Sequence, residues 1–566
     1  MGTATDEWVK SGCRPVPSRK VHVAVHRRTV DCVIVARMES LDRDQFASAT
    51  TDDADHDHGM LARRTLLAAA GFGAGMVVAP TAFAASDTGS TTTKTITGHF
   101  DPGAADFIYV PVQVPAGVRQ LSVSYTYSKP TVPAGTPGNS CDIGIFDTRG
   151  VSADCRGSRG WSGGFRTEFS ISNSAATPGY LPGPVTKGTW HVVLGPYQVA
   201  PQGMDWTVTV TLEHGPAGPA YVLDYPALTA AGRGRDWYRG DCHLHTVYSD
   251  GRYQPSEVAA AARQNGLDFM VSTDHNTNTS HGVWGPLAGD DLLIITGEEV
   301  TTRNGHWLAL GVKPGQLIDW RYRSRDDQLD RRQRDVHRSG GLCVSAHLYC
   351  PWIGAEWKFG FDGLDATEVW TGPWGWDDEA AVSTWANLLA VAARGHSTDW
   401  LPAMGNSDAH SPGNVVGLPH NVVYAEGLSR DSVLAAVKAG RTWIAESSAV
   451  DVSLTATARG HKVGIGDRVT VRRSDSITVQ LTVSGVPNGT LRLLTDEGQM
   501  LQSVLPASGS GTLTWQTKAE IAAFVRAEVR HPKADGGAGG TTMDPGFGFG
   551  PMAALTNPIW FDVAKS

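Results

Sequence analysis

The chain has 566 residues, of which 41% are hydrophobic and 19% charged, and its formal net charge is -9 at pH 7. This length exceeds what one hydrophobic core organises, so we expect several globular domains. The negative balance argues against stable nucleic-acid binding, because such binding depends on neutralising many phosphates with lysine and arginine.

The N-terminal part of the chain has the features of a targeting segment. Paired Arg63 and Arg64 precede an apolar run that ends near Ala79, and Ala82-Phe83-Ala84 has the small-x-small form that a signal peptidase needs. Residues 60–84 therefore look like a twin-arginine signal, which predicts recognition by the twin-arginine export machinery and a secreted or cell-envelope location. The apolar run is shorter than the roughly 20 residues of a membrane span, so we expect no transmembrane anchor in the mature protein.

The remaining chain divides by its patterning. Residues 1–59 are predicted to be a disordered extension. Residues 95–225 read as short alternating strands broken by Gly/Pro turns, which predicts a β-sandwich. Residues 236–445 alternate strands with helices and predict a parallel sheet closed as an α/β barrel. Residues 450–566 return to short strands and predict a smaller C-terminal β domain.

Two further expectations concern the sandwich region and the loops. Cys141 and Cys155 lie in one β-rich region, and in an oxidising compartment they are a candidate disulfide. His281 and His420 are loop histidines that could protonate a leaving group, although a bystander role is the plainer interpretation.

Histidine and acidic residues of the barrel region follow the ends of predicted strands. Because the carboxyl ends of parallel strands meet at one rim, residues far apart in sequence should lie close together. Imidazole and carboxylate ligands favour zinc, iron or manganese, and their number exceeds the three or four of a single zinc site, so two or three divalent ions are expected. The strand-end candidates are His243, His245, His275, Glu298, His347, Asp408 and His410.

These motifs resemble a known family, the polymerase and histidinol phosphatase (PHP) superfamily of metal-dependent hydrolases. The resemblance spans roughly residues 236–445, agrees in order and spacing, and implies a distorted (β/α)7 barrel that holds two or three metal ions. The matching segments are His243-Leu-His245-Thr-Val-Tyr-Ser-Asp250-Gly251, Thr273-Asp274-His275-Asn276, Gly297-Glu298, Ala346-His347 and Ser407-Asp408-Ala409-His410.

Carried over position by position, the resemblance implies nine metal ligands. One ion would be held by His243, His245, Glu298 and Asp408. Glu298 would bridge to a second ion completed by His306 and His347, and the third would be held by Asp250, His275 and His410. Ser249-Asp250-Gly251 also reads as a simple turn, and the local motif around His306 is weak.

Within the superfamily, Glu368-Val369-Trp370, Ala439-Gly-Arg441-Thr442 and Thr556-Asn-Pro-Ile559 are similar to the carbaryl-hydrolase-type branch. Two further side chains are candidate catalytic residues. Asp274 could orient a ligand or shuttle a proton, or it could cap the strand end. Arg441 could clamp an anionic substrate, or it could form a surface salt bridge.

Three functions follow from these patterns. The first is an exported phosphoesterase that uses metal-activated water on a small-molecule or polymeric ester. The second is a carbamate or carboxyl ester hydrolase, which the branch resemblance and the Trp370, Trp374 and Trp376 cluster favour. The third is a carbohydrate- or cell-wall-binding protein with an inactive barrel, against which the full set of predicted ligands argues.

Overall fold

The structure, a computed structural model, describes residues 81–82, 89–395, 397, 399–533 and 550–564. The predicted disordered extension (1–59) and nearly all of the predicted signal (60–84) lie outside these residues. Within the signal range, Thr81–Ala82 form strand β1, which pairs in parallel with residues Val112 and Gln113. In the described part of the chain, no helix combines the length and apolarity that membrane crossing requires.

The first folded region is a β-sandwich. Its two sheets have the strand orders β1-β3-β8-β5-β6 and β2-β9-β4-β7. Alternate residues of β9, such as Val208, Val210 and Leu212, are buried between the sheets, as period-two patterning requires. The later strands are β2 (Thr91–Phe100), β3 (Ile108–Val114), β4 (Val118–Tyr127), β5 (Ser140–Phe146), β6 (Ser158–Trp161), β7 (Glu168–Ser172), β8 (Gly188–Gln198) and β9 (Met204–His214).

The expected disulfide of this region is absent from the described structure. Cys141 is buried in β5 and Cys155 is buried in the turn before β6, and both are free thiols. Arg321 donates to the Cys155 sulfur at 3.6 Å. The prediction of a Cys141–Cys155 disulfide is therefore wrong, because the two sulfurs face different neighbours.

The middle region carries the candidate site. Its strands are β10 (Asp236–Asp241), β11 (Phe269–Ser272), β12 (Leu293–Thr302), β13 (Gly305–Leu310), β14 (Leu342–Ser345), β15 (Ala366–Thr371), β16 (Ala403–Asn406), β17 (His420–Ala425) and β18 (Thr442–Ala445). Its helices are α1 (Pro255–Gln264), α2 (Leu329–His337), α3 (Trp376–Arg394) and α4 (Arg430–Lys438). The start of α1 follows from Pro255 at its first position, where a missing N–H costs nothing.

The sheet of this region departs from a regular β/α alternation. Strands β10, β11 and β12 pair in parallel, as do β14, β15 and β16. Strand β13 instead pairs antiparallel with both β12 and β14. Only Arg303 and Asn304 separate β12 from β13, and so short a connection permits a hairpin but no parallel crossover. The described chain is thus a β-rich, multidomain fold.

Two asparagine side chains join strand β16 to the other end of this sheet. The Gly405 N–H donates to Oδ1 of Asn421 at 3.1 Å, and Nδ2 of Asn421 donates back to the Gly405 carbonyl at 2.8 Å. Asn557 makes the same pair of bonds with Ala403, at 2.8 and 3.1 Å. These side-chain amides take the place of a neighbouring strand for the backbone groups of Ala403 and Gly405, since none of the described strands pairs with the outer edge of β16.

The C-terminal region is a second two-sheet assembly that shares a sheet with the middle region. Strand β18 pairs with β27, and the sheet order continues through β26 and β23 to β24, while β20-β19-β22-β25 form the facing sheet. The strands are β19 (Asp451–Ala458), β20 (His461–Gly464), β21 (Arg468–Val471), β22 (Ser476–Ser484), β23 (Thr490–Thr495), β24 (Gly498–Val504), β25 (Gly511–Lys518), β26 (Phe524–Arg530), β27 (Met552–Thr556) and β28 (Ile559–Val563). The predicted division at residues 445–450 therefore cuts a continuous sheet.

Candidate metal centre

The predicted strand-end residues come together in one cluster. His243 and His245 follow β10, His275 follows β11, His347 follows β14, and Asp408 and His410 follow β16. Because these strands run in the same direction, their carboxyl ends place the side chains at one edge of the sheet. His306 lies in β13, which reaches the cluster through the antiparallel hairpin.

Four of these side chains form what we call the inner group: His243, His245, Glu299 and Asp408. Nε2 of His243 lies 3.1 Å from Oε2 of Glu299 and 3.1 Å from Oδ1 of Asp408. Nε2 of His245 lies 3.2 and 3.0 Å from the same two oxygens. Both histidine side chains and Glu299 are fully buried.

The inner group fits a divalent metal ion. Its four facing atoms are buried and have no hydrogen-bond partner. A native interior rarely leaves such groups unsatisfied, so the arrangement points to a missing common partner. Ligand atoms about 2.0–2.2 Å from one ion lie roughly 3 Å from one another, which is the spacing seen here.

The other carboxylate oxygen of Glu299 faces a second pair of histidines. Oε1 lies 2.8 Å from Nδ1 of His306 and 3.0 Å from Nε2 of His347. Nδ1 of His275 lies 3.0 Å from Oε2. The two oxygens of Glu299 are therefore turned to different ligand sets, so this carboxylate could help to hold more than one ion.

The third set, which we call the outer group, consists of Asp250, His275 and His410. Oδ1 of Asp250 lies 3.5 Å from Nε2 of His275 and 3.4 Å from Nε2 of His410. The Asp250 side chain is 42% exposed, whereas His243, His245 and Glu299 of the inner group are fully buried. Together with His245, the outer group could hold a metal ion at the solvent side of the cluster.

Glu298 is not the bridging residue that the sequence motif implies. Its Oε2 accepts a hydrogen bond from the Ile318 N–H at 2.8 Å, and burial raises the pKa of Glu298 well above its usual range. Successive residues of β12 point to opposite faces, so only one of the two adjacent glutamates can face the cluster. Leu292–Ile295 are all apolar, so the sequence shows no polar/apolar alternation that would tell the two faces of β12 apart. The sequence therefore does not select Glu299 over Glu298.

Glu368 was assigned no role from the sequence, yet it supports three parts of the cluster. Its carboxylate lies 3.2 Å from Nδ1 of His243 and accepts from the His347 N–H at 2.9 Å. Asn406 donates to it at 2.7 Å. A carboxylate on the far nitrogen of a ligating histidine fixes the ring orientation and raises its basicity. Its only sequence signal is an acidic residue inside an apolar strand.

The two predicted catalytic residues lie elsewhere. Oδ1 of Asp274 accepts from the Thr246 N–H at 2.7 Å and from the Ser249 hydroxyl at 2.9 Å, so Asp274 holds the loop that joins His245 to Asp250. Arg441 is 45% exposed, and its Nε lies 3.5 Å from Oδ1 of Asp467 in the C-terminal region. The structure thus places Asp274 as a loop support and Arg441 in a surface ion pair rather than in the cluster.

The two histidines considered as proton donors, His281 and His420, also form hydrogen bonds within the fold. His281 receives a hydrogen bond from the Gly315 N–H at Nδ1 and lies 2.9 Å from the Gly297 carbonyl at Nε2. His420 has the Gly417 carbonyl 2.8 Å from Nδ1 and Nη1 of Arg239 2.9 Å from Nε2. Each ring therefore donates once and accepts once, which is the pattern of a neutral imidazole.

The histidines and carboxylates of the cluster shift one another's pKa values. Burial lowers the pKa of His243, His275, His347 and His410, but nearby carboxylates outweigh burial and raise those pKa values. Burial raises the pKa of Glu299, but the nearby His275, His243 and His306 outweigh burial and hold that pKa well below its usual range. Burial lowers the pKa of His306 to about 4, so its imidazole is neutral at pH 7. His347 and Asp408 have φ angles of +27° and +48°, which are uncommon for residues other than glycine and which cluster at functional sites.

Comparisons with known proteins place metal-dependent hydrolases among the structural neighbours. No protein-family model matches the chain. A two-domain protein of Bacteroides vulgatus, described as containing a predicted PHP-like metal-dependent phosphoesterase, is 14% identical and covers 56% of this chain and 95% of its own, with a TM-score of 0.31. An amidohydrolase of Chromobacterium violaceum is 18% identical and covers 31% of this chain and 89% of its own, with a TM-score of 0.23.

One curated protein also matches part of the chain. It is an uncharacterized protein of Methanocaldococcus jannaschii, 24% identical over an alignment of 152 residues that covers 23% of this chain and 80% of the relative. The activities in these descriptions belong to the neighbours and are not assigned to this chain. Membership of the carbaryl-hydrolase-type branch stays a prediction.

Proposed function

We propose that this protein is a metal-dependent hydrolase that cleaves phosphate esters with water at the Glu299-centred cluster. The observation that carries the proposal is the inner group, whose four facing atoms are buried, unpartnered and about one ligand-to-ligand distance apart. Histidine nitrogen and carboxylate oxygen suit zinc, manganese or iron, and the Glu299 carboxylate is placed to serve two ions. A divalent ion bound here would supply Lewis acidity and lower the pKa of a bound water.

Other residues of the chain orient the side chains that would bind metal. Glu368 fixes the His243 ring, and Asp274 fixes the loop that carries Asp250. A preorganised ligand set of this kind avoids reorganisation during reaction. The outer group is the solvent-accessible side of the cluster, so substrate and water are expected to reach the site past Asp250 and His410.

The charge of the site favours an oxyanion substrate. Glu299, Asp408 and Asp250 bring three carboxylates to the cluster, whereas the six histidines are neutral as ligands. Three divalent ions would therefore leave the site with a net positive charge even when the neighbouring Glu368 carboxylate is counted. Such a site concentrates anions by long-range attraction.

A second candidate function is hydrolysis of a carboxyl ester or carbamate with an apolar leaving group. Tyr349, Trp352 and Ile353 follow His347 directly and are each more than a third exposed. Trp376, at the start of α3, is 41% exposed as well. Exposed apolar side chains in the segment that follows the cluster residue His347 favour this alternative. The same assay separates the two functions.

The test combines metal analysis with a substrate series. The full chain is loaded with zinc, manganese or iron(II), its metal content is measured, and it is assayed on p-nitrophenyl phosphate, bis-p-nitrophenyl phosphate and p-nitrophenyl acetate. Phosphate ester turnover with two or three bound ions supports the proposal. Turnover of the acetate alone overturns it in favour of the ester or carbamate function, and absence of stoichiometric metal favours a binding protein.

Adjacent glutamates provide a matched pair of variants. Glu299→Gln should abolish turnover and remove bound metal, because both oxygens of its carboxylate face ligand sets. Glu298→Gln should retain both, because its carboxyl group bonds to Ile318 on the opposite face of β12. Equal losses in the two variants would contradict the assignment of Glu299.

We also propose that the protein is exported by the twin-arginine machinery to the envelope or medium. The support is the Arg63-Arg64 pair and the apolar run that follows it. Conversion of both arginines to lysine should retain the full-length chain inside the cell, as measured by fractionation and immunoblotting. Unchanged export of that variant would contradict this route.

A further inference from the structure

An arginine of the N-terminal sandwich reaches the loop that carries two predicted metal ligands. Arg166 lies between β6 and β7, and its Nη2 donates to the Val247 carbonyl at 2.5 Å. Val247 lies between His245 and Asp250, in the loop that Asp274 holds. The sandwich and the metal-binding loop also meet nearby, since the Tyr248 carbonyl lies 2.9 Å from where a Cβ on Gly179 would stand.

This arginine lacks the counter-ion that other arginines between the sandwich and the middle region have. Asp106 pairs with Nε of Arg303 at 3.2 Å and with Nε of Arg323 at 2.6 Å. Asp319 pairs with Arg321 at 2.8 Å. Among the residues the structure describes, no carboxylate forms an ion pair with Arg166, and burial lowers its pKa although the Tyr180 phenol opposes that effect.

The guanidinium of Arg166 also retains unused hydrogen-bond donors. Its Nε is buried and has no partner, which is unusual for a buried N–H. A tether between domains explains the bond from Nη2 to Val247 but not the unpaired charge. A planar guanidinium with unused N–H groups, held against the loop between two predicted metal ligands, is suited to a phosphate oxygen.

We propose that Arg166 is a specificity-determining residue that binds a non-bridging oxygen of a phosphomonoester, so that the N-terminal sandwich completes the substrate site. This inference rests on the proposed hydrolase function for its substrate class. It selects a terminal phosphate, with two negative charges, over a diester or a neutral ester. The sandwich then has a role in recognition rather than in support alone.

The experiment compares Arg166→Ala and Arg166→Lys with Arg323→Ala in the metal-loaded full chain. Arg323→Ala removes an ion pair between the same two regions and is the matched control for a purely structural effect. Binding of inorganic phosphate is measured by calorimetry, and KM and kcat are measured separately on the monoester, the diester and the acetate. Thermal unfolding and metal content verify that each variant is folded and loaded.

Arg166→Ala should weaken phosphate binding and raise KM for the monoester by about 10- to 100-fold, the usual range for a lost hydrogen bond to a charged group. Arg166→Lys should recover part of this loss, and Arg323→Ala should leave the ratio of monoester to diester KM unchanged. Phosphate binding that depends on Arg166 supports this inference even if no ester is hydrolysed. Unchanged phosphate binding in Arg166→Ala, or an equal effect on the neutral acetate, would overturn it.

Discussion

The inner and outer groups of the candidate metal centre differ in burial and spacing. His243 and His245 are fully buried and their ligand atoms lie 3.0–3.2 Å from the facing carboxylate oxygens. In the outer group the corresponding separations are 3.4–3.5 Å, and the Asp250 side chain is 42% exposed. The comparison indicates that the inner ligand set is the more closely preorganised, so an ion bound there would be held more tightly than one bound by the outer group.

The largest expected effect is the loss of the inner group. Asp408→Ala or His243→Ala should abolish turnover on every ester substrate and remove at least one equivalent of bound metal, while the far-ultraviolet circular dichroism stays close to wild type. The reason is that both residues belong to the inner group, whose Glu299 carboxylate would also hold a second ion. Near-normal rates in either variant would refute the assignment of the site.

A smaller effect is expected for the outer group. Asp250→Asn should lower metal content by one equivalent and reduce turnover without abolishing metal binding by the inner group. Limited chelation of the wild-type protein should remove one ion first, and the variant should lack that early step. Metal content is followed by elemental analysis during the chelator titration, and simultaneous loss of all ions would break the distinction between the two groups.

Substitution of the supporting carboxylate, Glu368, should have a smaller effect, which is limited to the binding of metal by the inner group. Glu368→Gln should weaken binding of the inner ion by about 10- to 100-fold, because the amide keeps the shape of the side chain but loses the charge beside His243. Competition with a fluorescent chelator measures the affinity. An unchanged affinity would show that His243 is oriented by the backbone alone.

The smallest expected effect lies outside the cluster and concerns stability as a function of pH. Burial lowers the pKa of both His281 and His420 to about 4. In the unfolded chain histidine titrates near 6.5, so the unfolded state binds more protons as the pH falls below that value. The contribution of these neutral rings to stability is therefore complete above about pH 6.5 and is lost as the pH falls towards 4.

Urea denaturation at several pH values measures this dependence. His420→Gln should reduce the slope of stability between pH 6.5 and 4, because glutamine has no proton to gain. An unchanged slope would show that other groups dominate the acid sensitivity. Metal-loaded and metal-free protein should be compared, since the ligand histidines also take up protons when the ions leave.

Much of the candidate site could be predicted from sequence because its residues follow strand ends. His243, His245, His275, His347 and His410 all stand in the cluster, where parallel strands terminate together. The choice between Glu298 and Glu299 could not be predicted, because both faces of β12 are apolar and its sequence shows no alternation that tells the two faces apart. Glu368 was missed for a related reason: a carboxylate that supports a ligand has no spacing motif of its own.

Several features could be predicted from the sequence alone: the β-rich flanking regions, much of the strand and helix alternation between them, and the set of histidines that reach one edge of the sheet. Local patterns suffice for these features, because the periodic burial of side chains in strands and helices is visible within a short stretch of sequence. Only the tertiary structure decided that β13 returns as a hairpin, that Asn421 and Asn557 satisfy strand β16, and that Glu299 faces the cluster. These outcomes depend on contacts between residues distant in the chain, where the direction of a side chain is set by the packing around it.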